Sequence, residues 1–357
     1  MKYNIIDLFC GAGGFSKGME RAGFKSVLGV DFWYDAIQTY NRNHKGNGLV
    51  KSVIDFTDKE LLEIKNKFKV TGIIGGPPCQ GFSMVGTRKE TDARNSLYLQ
   101  YVRFVNFIQP DFFVLENVKG LLSLEKGFFK KDIVDRFTAC GYNTNFKVLK
   151  ASEYGLPQNR ERVFFIGLNN NKFNDDFFNW DTVKKSKNQL GTKDAIGDIP
   201  PLHKDSPVNR TYSIKPQNAF QNEMRKKMDN KEIKNHEITN HTDQTIHIIS
   251  QVPDGGSIKD IDEKYYSVRN YNTAFKRMNS KLPSTTIDCG HRNYFHYEQN
   301  RVPSVREAAR LQTFPDHFIF EGSKTSQYKQ VGNAVPPMLA TILGIEIKKK
   351  LKNIVKI

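Results

Sequence analysis

The sequence predicts an α/β protein, with a mostly parallel, doubly wound sheet and a second, smaller domain. Three observations carry this reading. Apolar, β-branched runs alternate with helically spaced segments through the first half of the chain, the pattern of a parallel sheet covered by helices. Two of these runs close on glycine-rich turns, Cys10-Gly11-Ala12-Gly13-Gly14 and Gly75-Gly76-Pro77-Pro78. After about Asn169 the texture changes to Asn, Lys, Asp and Thr with scattered prolines and little periodicity.

The elements follow in chain order. Asn4–Phe9 is an apolar strand that runs into the first glycine turn, and Ser16–Ala22 is a helix. Ser26–Val30 is a strand ending at Asp31, followed by a helix at Asp35–Asn43. Thr71–Gly75 is a short strand closing on the second turn, and Ser96–Ile108 has helical spacing. Asp111–Leu115 is a strand ending at Glu116, and Tyr142–Leu149 and Arg162–Leu168 are further strands. In the irregular stretch Thr245–Ile249 reads as a short strand. Helices resume at Val305–Gln312 and at Met338–Leu351, whose lysine-rich tip suits the negative end of a helix dipole.

Composition narrows the function. A chain of 357 residues accommodates one large domain and a smaller one. No apolar run reaches the roughly 18 residues of a membrane span, and the N-terminus has no signal-peptide pattern, so a cytoplasmic protein is expected. The cysteines, Cys10, Cys79, Cys140 and Cys289, form no CxxC pair, which argues against a disulfide framework or a metal site. The net charge of +16 suits a polyanionic partner, nucleic acid first. The plainer reading is a lysine-rich composition with no such partner.

The first glycine turn lies where a strand passes into a helix, and Gly11, Gly13 and Gly14 let the backbone approach a ligand. Asp31 ends the next strand, about twenty residues on, where a carboxylate holds ribose hydroxyls. Phe32 follows and can pack on an adenine ring. A dinucleotide G-x-G-x-x-G pattern would have a third glycine where this chain has Ser16. That departure favours a compact cofactor without a pyrophosphate over NAD.

Cys79 is either a small buried residue or a nucleophile on a rigid loop. Cys79 and Glu116 each follow a strand of one sheet, and open α/β sheets bind ligands beyond their carboxyl edge. Glu116 reads as a proton donor to a ring nitrogen or as a capping or surface acid. Arg160 and Arg162 alternate along an extended chain and would share a side. They read as a grip on a carbonyl oxygen or phosphate, or as a surface ion-pair cluster.

DLFCGAGG at 7–14, GGPPCQGFS at 75–83, Glu116-Asn117-Val118, QNRER at 158–162, REAARLQTFPD at 306–316 and QVGNAVPP at 330–337 together resemble the cytosine-C5 DNA methyltransferases of bacterial restriction-modification type. The segments keep the family's order across nearly the whole chain. The resemblance implies a Rossmann-like, S-adenosylmethionine-dependent methyltransferase fold. Its catalytic and cofactor-binding domain would be 1–185 plus 327–357, and its target-recognition domain and hinge 186–326. It implies methyl transfer from S-adenosyl-L-methionine to C5 of a cytosine flipped out of double-stranded DNA.

Matched positions imply roles. Cys79 is the thiolate that adds to cytosine C6, Glu116 meets N3, Arg162 holds O2, and Arg160 braces the site or a nearby phosphate. Phe9, Gly11, Gly13 and Gly14 line the methionine and adenine side of the cofactor. Asp31 takes the ribose, Phe32 stacks on adenine, and Asp55 lies beside the adenine amino group. Pro78, Asn333 and Val335 complete the cleft. Ser83 and Arg94 touch phosphate, on a loop from Ser83 to about Asn95 that closes over the base. Arg306, Glu307 and Arg310 are spaced to pair on one scaffold helix. Arg269, Arg277, Arg292 and Asn293 are candidates for base or phosphate contacts. The expected state is a monomer without metal, with a cognate restriction endonuclease as a functional rather than physical partner. A transfer-RNA cytosine-5 methyltransferase and a catalytically silent DNA-binding homologue are the alternatives.

Overall fold

Strands that are apolar along their whole length must be covered on both faces, which is the condition for parallel pairing. In the computed structural model, which describes residues 3–78, 97–174, 176–203, 211–228, 232–268, 275–289 and 294–353, these runs form one seven-stranded sheet. Its strands are β1 (Asn4–Leu8), β2 (Lys25–Asp31), β3 (Gly48–Val50), β4 (Val70–Gly75), β5 (Phe112–Val118), β6 (Tyr142–Lys150) and β7 (Glu161–Asn169). The order is β3-β2-β1-β4-β5-β7-β6. β1 to β5 pair in parallel, and β7 runs antiparallel to both β5 and β6. Strand order reverses between β1 and β4, so the ligand crevice of such a sheet lies beyond their carboxyl ends.

Among the described residues five α-helices connect these strands: α1 (Gly14–Arg21), α2 (Tyr34–Asn43), α3 (Asp58–Phe68), α4 (Leu97–Ile108) and α5 (Phe128–Ala139). Local chemistry sets their ends. Thr57 and Glu60 form a capping box that starts α3. Ile6, Leu8, Ile73, Phe113, Leu115 and Phe165 are fully buried in the core, each contributing about 1.5–3 kcal/mol. α3 and α5 are absent from the sequence reading. They carry charged residues between their apolar positions, DKELLEIKNKF and FFKKDIVDRFTA.

The chain divides into two compact units. The first is Met1–Lys150, Glu161–Lys184 and Val335–Ile357, and the second is Ala151–Arg160 and Lys185–Ala334. Within the first unit the final helix, Pro337–Lys352, packs on α1, and Lys348 Nζ donates to Ala22 O at 3.1 Å. A distant segment of the sequence thereby supports the helix that follows the first glycine turn.

The second unit is built on buried polar networks. Thr245–Ile249, expected as a strand, belongs to the helix Asp243–Gln251. Thr242 caps it by accepting from Thr245 N at 3.2 Å, and a capped start outweighs the β preference of Thr and Ile. Arg306, Glu307 and Arg310 lie on one buried helix, Val305–Leu311, but do not pair with one another. Glu307 binds Arg301 at 2.7 Å, Arg310 binds Asp198 at 2.6 Å and also Asp316, and Arg306 donates to backbone carbonyls including Lys234 O. Complete burial gives each charge its own partner from a neighbouring segment.

Arg277, a candidate nucleic-acid contact by sequence, is 6% exposed. Its guanidinium donates to Val252 O at 2.7 Å, Ile249 O at 2.7 Å, His296 O at 3.0 Å and Asn300 Oδ1 at 2.7 Å. It staples the second unit together instead. Arg269, Arg292 and Asn293 lie outside the described residues. Arg277→Ala strips the donors from several buried acceptors, so urea denaturation should show a loss of about 3 kcal/mol or more. A folded R277A protein with normal stability and a shallower salt dependence of DNA binding would make Arg277 a phosphate contact after all.

Candidate active site

The first glycine turn follows β1 directly. Gly13 is the N-cap of α1, with φ 90°. A Cβ there would lie 2.4 Å from His44 Nε2 and 2.8 Å from the Tyr40 ring, so both conformation and space require glycine. Parallel pairing of β1 with β2 brings Asp31 beside the turn. Asp31 Oδ2 accepts from Gly11 N at 2.9 Å, and Oδ1 accepts from Trp33 N at 2.9 Å. Burial pushes the Asp31 carboxyl above its ordinary value, against the lowering effect of these amides.

The surroundings suit a nucleoside. A Cβ on Gly11 would meet nothing within 4 Å, so the turn faces open space. Phe32 is 71% exposed and offers a free ring. Asp55 is exposed in the turn Val53–Asp55 after β3. Asp31 uses one lone pair per oxygen on backbone amides, and a carboxylate has further acceptor capacity. Phe9 is half-buried against the core, and Gly14 opens α1.

The second constellation lies at the ends of β4, β5 and β7. β4 exits through Gly76-Pro77-Pro78. Asn117 Nδ2 donates to Pro77 O at 2.9 Å and so ties this exit to β5. A Cβ on Gly76 would stand 2.9 Å from Glu116 Oε2, so glycine lets the β4 exit lie against that carboxylate. Because β7 is antiparallel, its first residues meet the end of β5, with Arg162 in register with Val118. Arg162 Nε then donates to Glu116 Oε1 at 3.0 Å. Glu116 is 7% exposed. Its neighbour in sequence, Asn117, is the positioning residue that sequence reasoning missed. Cys79, Ser83, Arg94 and the loop to Asn95 lie outside the described residues.

The two arginines of QNRER part company. Arg160 belongs to the second unit and is buried, donating to Gly332 O at 2.9 Å and Ile287 O at 3.4 Å. Those carbonyls occupy the guanidinium, so a phosphate grip by Arg160 is not what its surroundings show. Gln158 acts beside it, accepting from Ile287 N at 3.0 Å and donating to Leu311 O at 3.3 Å. Asn333 is exposed at the end of a helix in the second unit, and Val335 is buried in the first.

A nucleoside-suited glycine turn at the switch point of a doubly wound sheet, with a glutamate–arginine pair at the same carboxyl edge, describes an α/β group-transfer enzyme. Comparison makes the class specific. Residues 3–349 match the family described as C-5 cytosine-specific DNA methylase. The Type II methyltransferase M.DdeI of Desulfomicrobium norvegicum is 37% identical, over 98% of this chain and 90% of that protein. The Type II methyltransferase M1.HphI of Haemophilus parahaemolyticus is 38% identical, over 99% and 88% respectively. A crystal structure of a candidate DNA modification methyltransferase encoded within an E. coli prophage aligns with a TM-score of 0.82 and 27% identity, over 99% of this chain and 100% of that one. The chain belongs to the C-5 cytosine-specific DNA methylases.

The Asn117 tie yields a test. Asn117→Asp keeps the side chain's size but loses its N–H donor, leaving Pro77 O unpaired at a cost of about 1–3 kcal/mol. Methylation kcat should fall about tenfold with an unchanged KM for DNA. An unchanged kcat would show that the β4 exit is held in place without Asn117.

Proposed function

We propose that the chain methylates C5 of a cytosine flipped from duplex DNA through a covalent Cys79–C6 adduct, using S-adenosyl-L-methionine. The observation that carries this reading is the Glu116–Arg162 pair at the carboxyl edge of the sheet, beside the strand exit that leads to Cys79. When bound, S-adenosyl-L-methionine supplies the methyl group that C5 takes. The glycine turn, Asp31 and the exposed Phe32 would hold it, with Asp55, Pro78, Asn333 and Val335 assigned to the rest of the cleft by family resemblance.

Cytosine C5 is too weak a nucleophile to react unaided. The Cys79 thiolate forms a bond to C6, and the C5–C6 π electrons move onto C5. Glu116 shares a proton at N3 as negative charge spreads over the ring, and Arg162 donates to O2. Arg160 braces the second unit and acts through position. Removal of the C5 proton restores the ring double bond and expels the Cys79 sulfur. A free thiol has a pKa of about 8.5, so a positively charged cleft raises the reactive fraction. Ser83 and Arg94 are assigned to phosphate contacts on a loop that closes over the flipped base and excludes water.

Residues 186–326 are assigned to target recognition and hinge, and 1–185 plus 327–357 to catalysis. The net charge of +16 supports a duplex DNA substrate. The names of the relatives support a restriction-modification role, in which methylation protects host DNA from a cognate endonuclease. The enzyme is proposed to act as a cytoplasmic monomer. No helix among the described residues is long and apolar enough to cross a membrane.

Bisulfite sequencing of DNA from an expressing host tests the function. Protected cytosines should appear at one short recurring sequence. Cys79→Ala should abolish protection and leave S-adenosyl-L-methionine binding within about threefold of wild type. Normal methylation by the Cys79→Ala variant would overturn the mechanism.

A further inference from the structure

Beneath the first glycine turn lies a buried carboxylate that methyl transfer, as derived above, does not use. Asp7, near the end of β1, is 1% exposed. Its Oδ2 accepts from Ser16 N at 3.2 Å and from Ser16 Oγ at 2.7 Å. Ser16 Oγ lies 2.9 Å from Tyr40 OH. Gly13, the N-cap of α1, has no side chain to satisfy the first-turn amides, and Asp7 does so from the neighbouring strand. On the other flank Asp31 holds Gly11 N. Two carboxylates therefore grip the turn, and among the described residues neither has an ion-pair partner.

An anionic site with no cation of its own is costly to bury. A proton relieves that cost, and so does a cationic ligand. The titratable groups that face Asp7 are Cys10 in the turn, Glu20 on α1, Asp31 after β2, Tyr40 on α2 and Tyr101 on α4. His44 stacks on Tyr40 and is bonded to Glu20 at 3.0 Å. Burial, reinforced by Asp31 and Glu20, pushes the Asp7 carboxyl up to about 7.

We propose that Asp7 is a positioning residue that sets the preference for cofactor over product. As a carboxylate it favours the sulfonium of S-adenosylmethionine over the neutral thioether of S-adenosylhomocysteine, and as a carboxylic acid it does not. This rests on the cofactor reading above. The sign follows from linkage. Asp7 is protonated at acid pH and ionised above neutrality, and a bound cation favours the ionised form. Cofactor binding near neutrality then releases a proton, and the preference for cofactor grows as pH rises.

Calorimetric titration of the full chain with S-adenosylmethionine and with S-adenosylhomocysteine tests this, using wild type, Asp7→Asn and Ser16→Ala. From about pH 6 to about pH 8 the wild-type affinity ratio should rise about fivefold, the part of one unit of ligand-induced pKa shift that falls in that window. In Asp7→Asn the rise should be lost, and the same variant cancels titration of the ligands themselves. Ser16→Ala removes the Oγ hydrogen bond that favours the carboxylate and keeps the one from the backbone N–H, so its midpoint should move to higher pH. A folded Asp7→Asn protein that keeps the wild-type rise overturns the proposal. So does a flat wild-type ratio with both ligands bound. If Asp7→Asn does not fold, an unmoved midpoint in Ser16→Ala overturns it. Failure of folded wild type to bind either ligand refutes the cofactor reading itself and the proposal with it.

Discussion

One ion pair organises the carboxyl edge of the sheet. Arg162 reaches Glu116 only because β7 runs antiparallel between β5 and β6. Had β7 been parallel, its first residues would lie at the opposite edge and Arg162 would face the wrong end of the molecule. Removing one member of a buried pair costs about 3–5 kcal/mol, so topology and electrostatics enforce each other. Asn117 adds the third strand to this arrangement by tying β5 to the exit of β4. The strand tips thus form a rigid frame, and the segment bearing Cys79 begins from it.

The two units use charge differently. In the second, arginines are buried with partners: Arg310 with Asp198 and Asp316, Arg301 with Glu307, Arg277 with backbone carbonyls. These networks work beside an apolar core that includes Ile249, Leu311, Phe314 and Phe318, in a region where regular secondary structure is sparse. In the first unit, Asp7 is buried and Asp31 half-buried at the glycine turn, and among the described residues neither has a cation beside it. Neutralised networks hold a framework in one arrangement, whereas an unneutralised site is suited to receive a ligand.

Much of the fold was legible in the sequence because strands buried on both faces appear as unbroken apolar runs, and the exits of β1 and β4 need glycine. DFFVL and VFFIGL could hardly be anything else. The reversed direction of β7 was not legible, since an apolar run carries no polarity, and neither were α3 and α5. Thr245–Ile249 misled because β-branched residues outweighed the Thr242 cap in the reading. Glu116 and Arg162 were legible as positions after and within strands, but their contact depends on register. Arg277 shows the opposite limit. An arginine in a basic, irregular stretch looks like a surface contact until the carbonyls that surround it are seen. Asn117 and Asp7 act across contacts that sequence spacing alone does not display.

The proposed mechanism turns on a bond from Cys79 to the target base. Duplex DNA carrying 5-fluorocytosine tests it most directly, because fluorine at C5 prevents the release step and traps the adduct. Incubation with S-adenosyl-L-methionine, proteolysis and mass mapping should place the modified base on the peptide containing Cys79. Absence of an adduct under conditions where normal DNA is methylated, or an adduct at Cys10, Cys140 or Cys289, would contradict it.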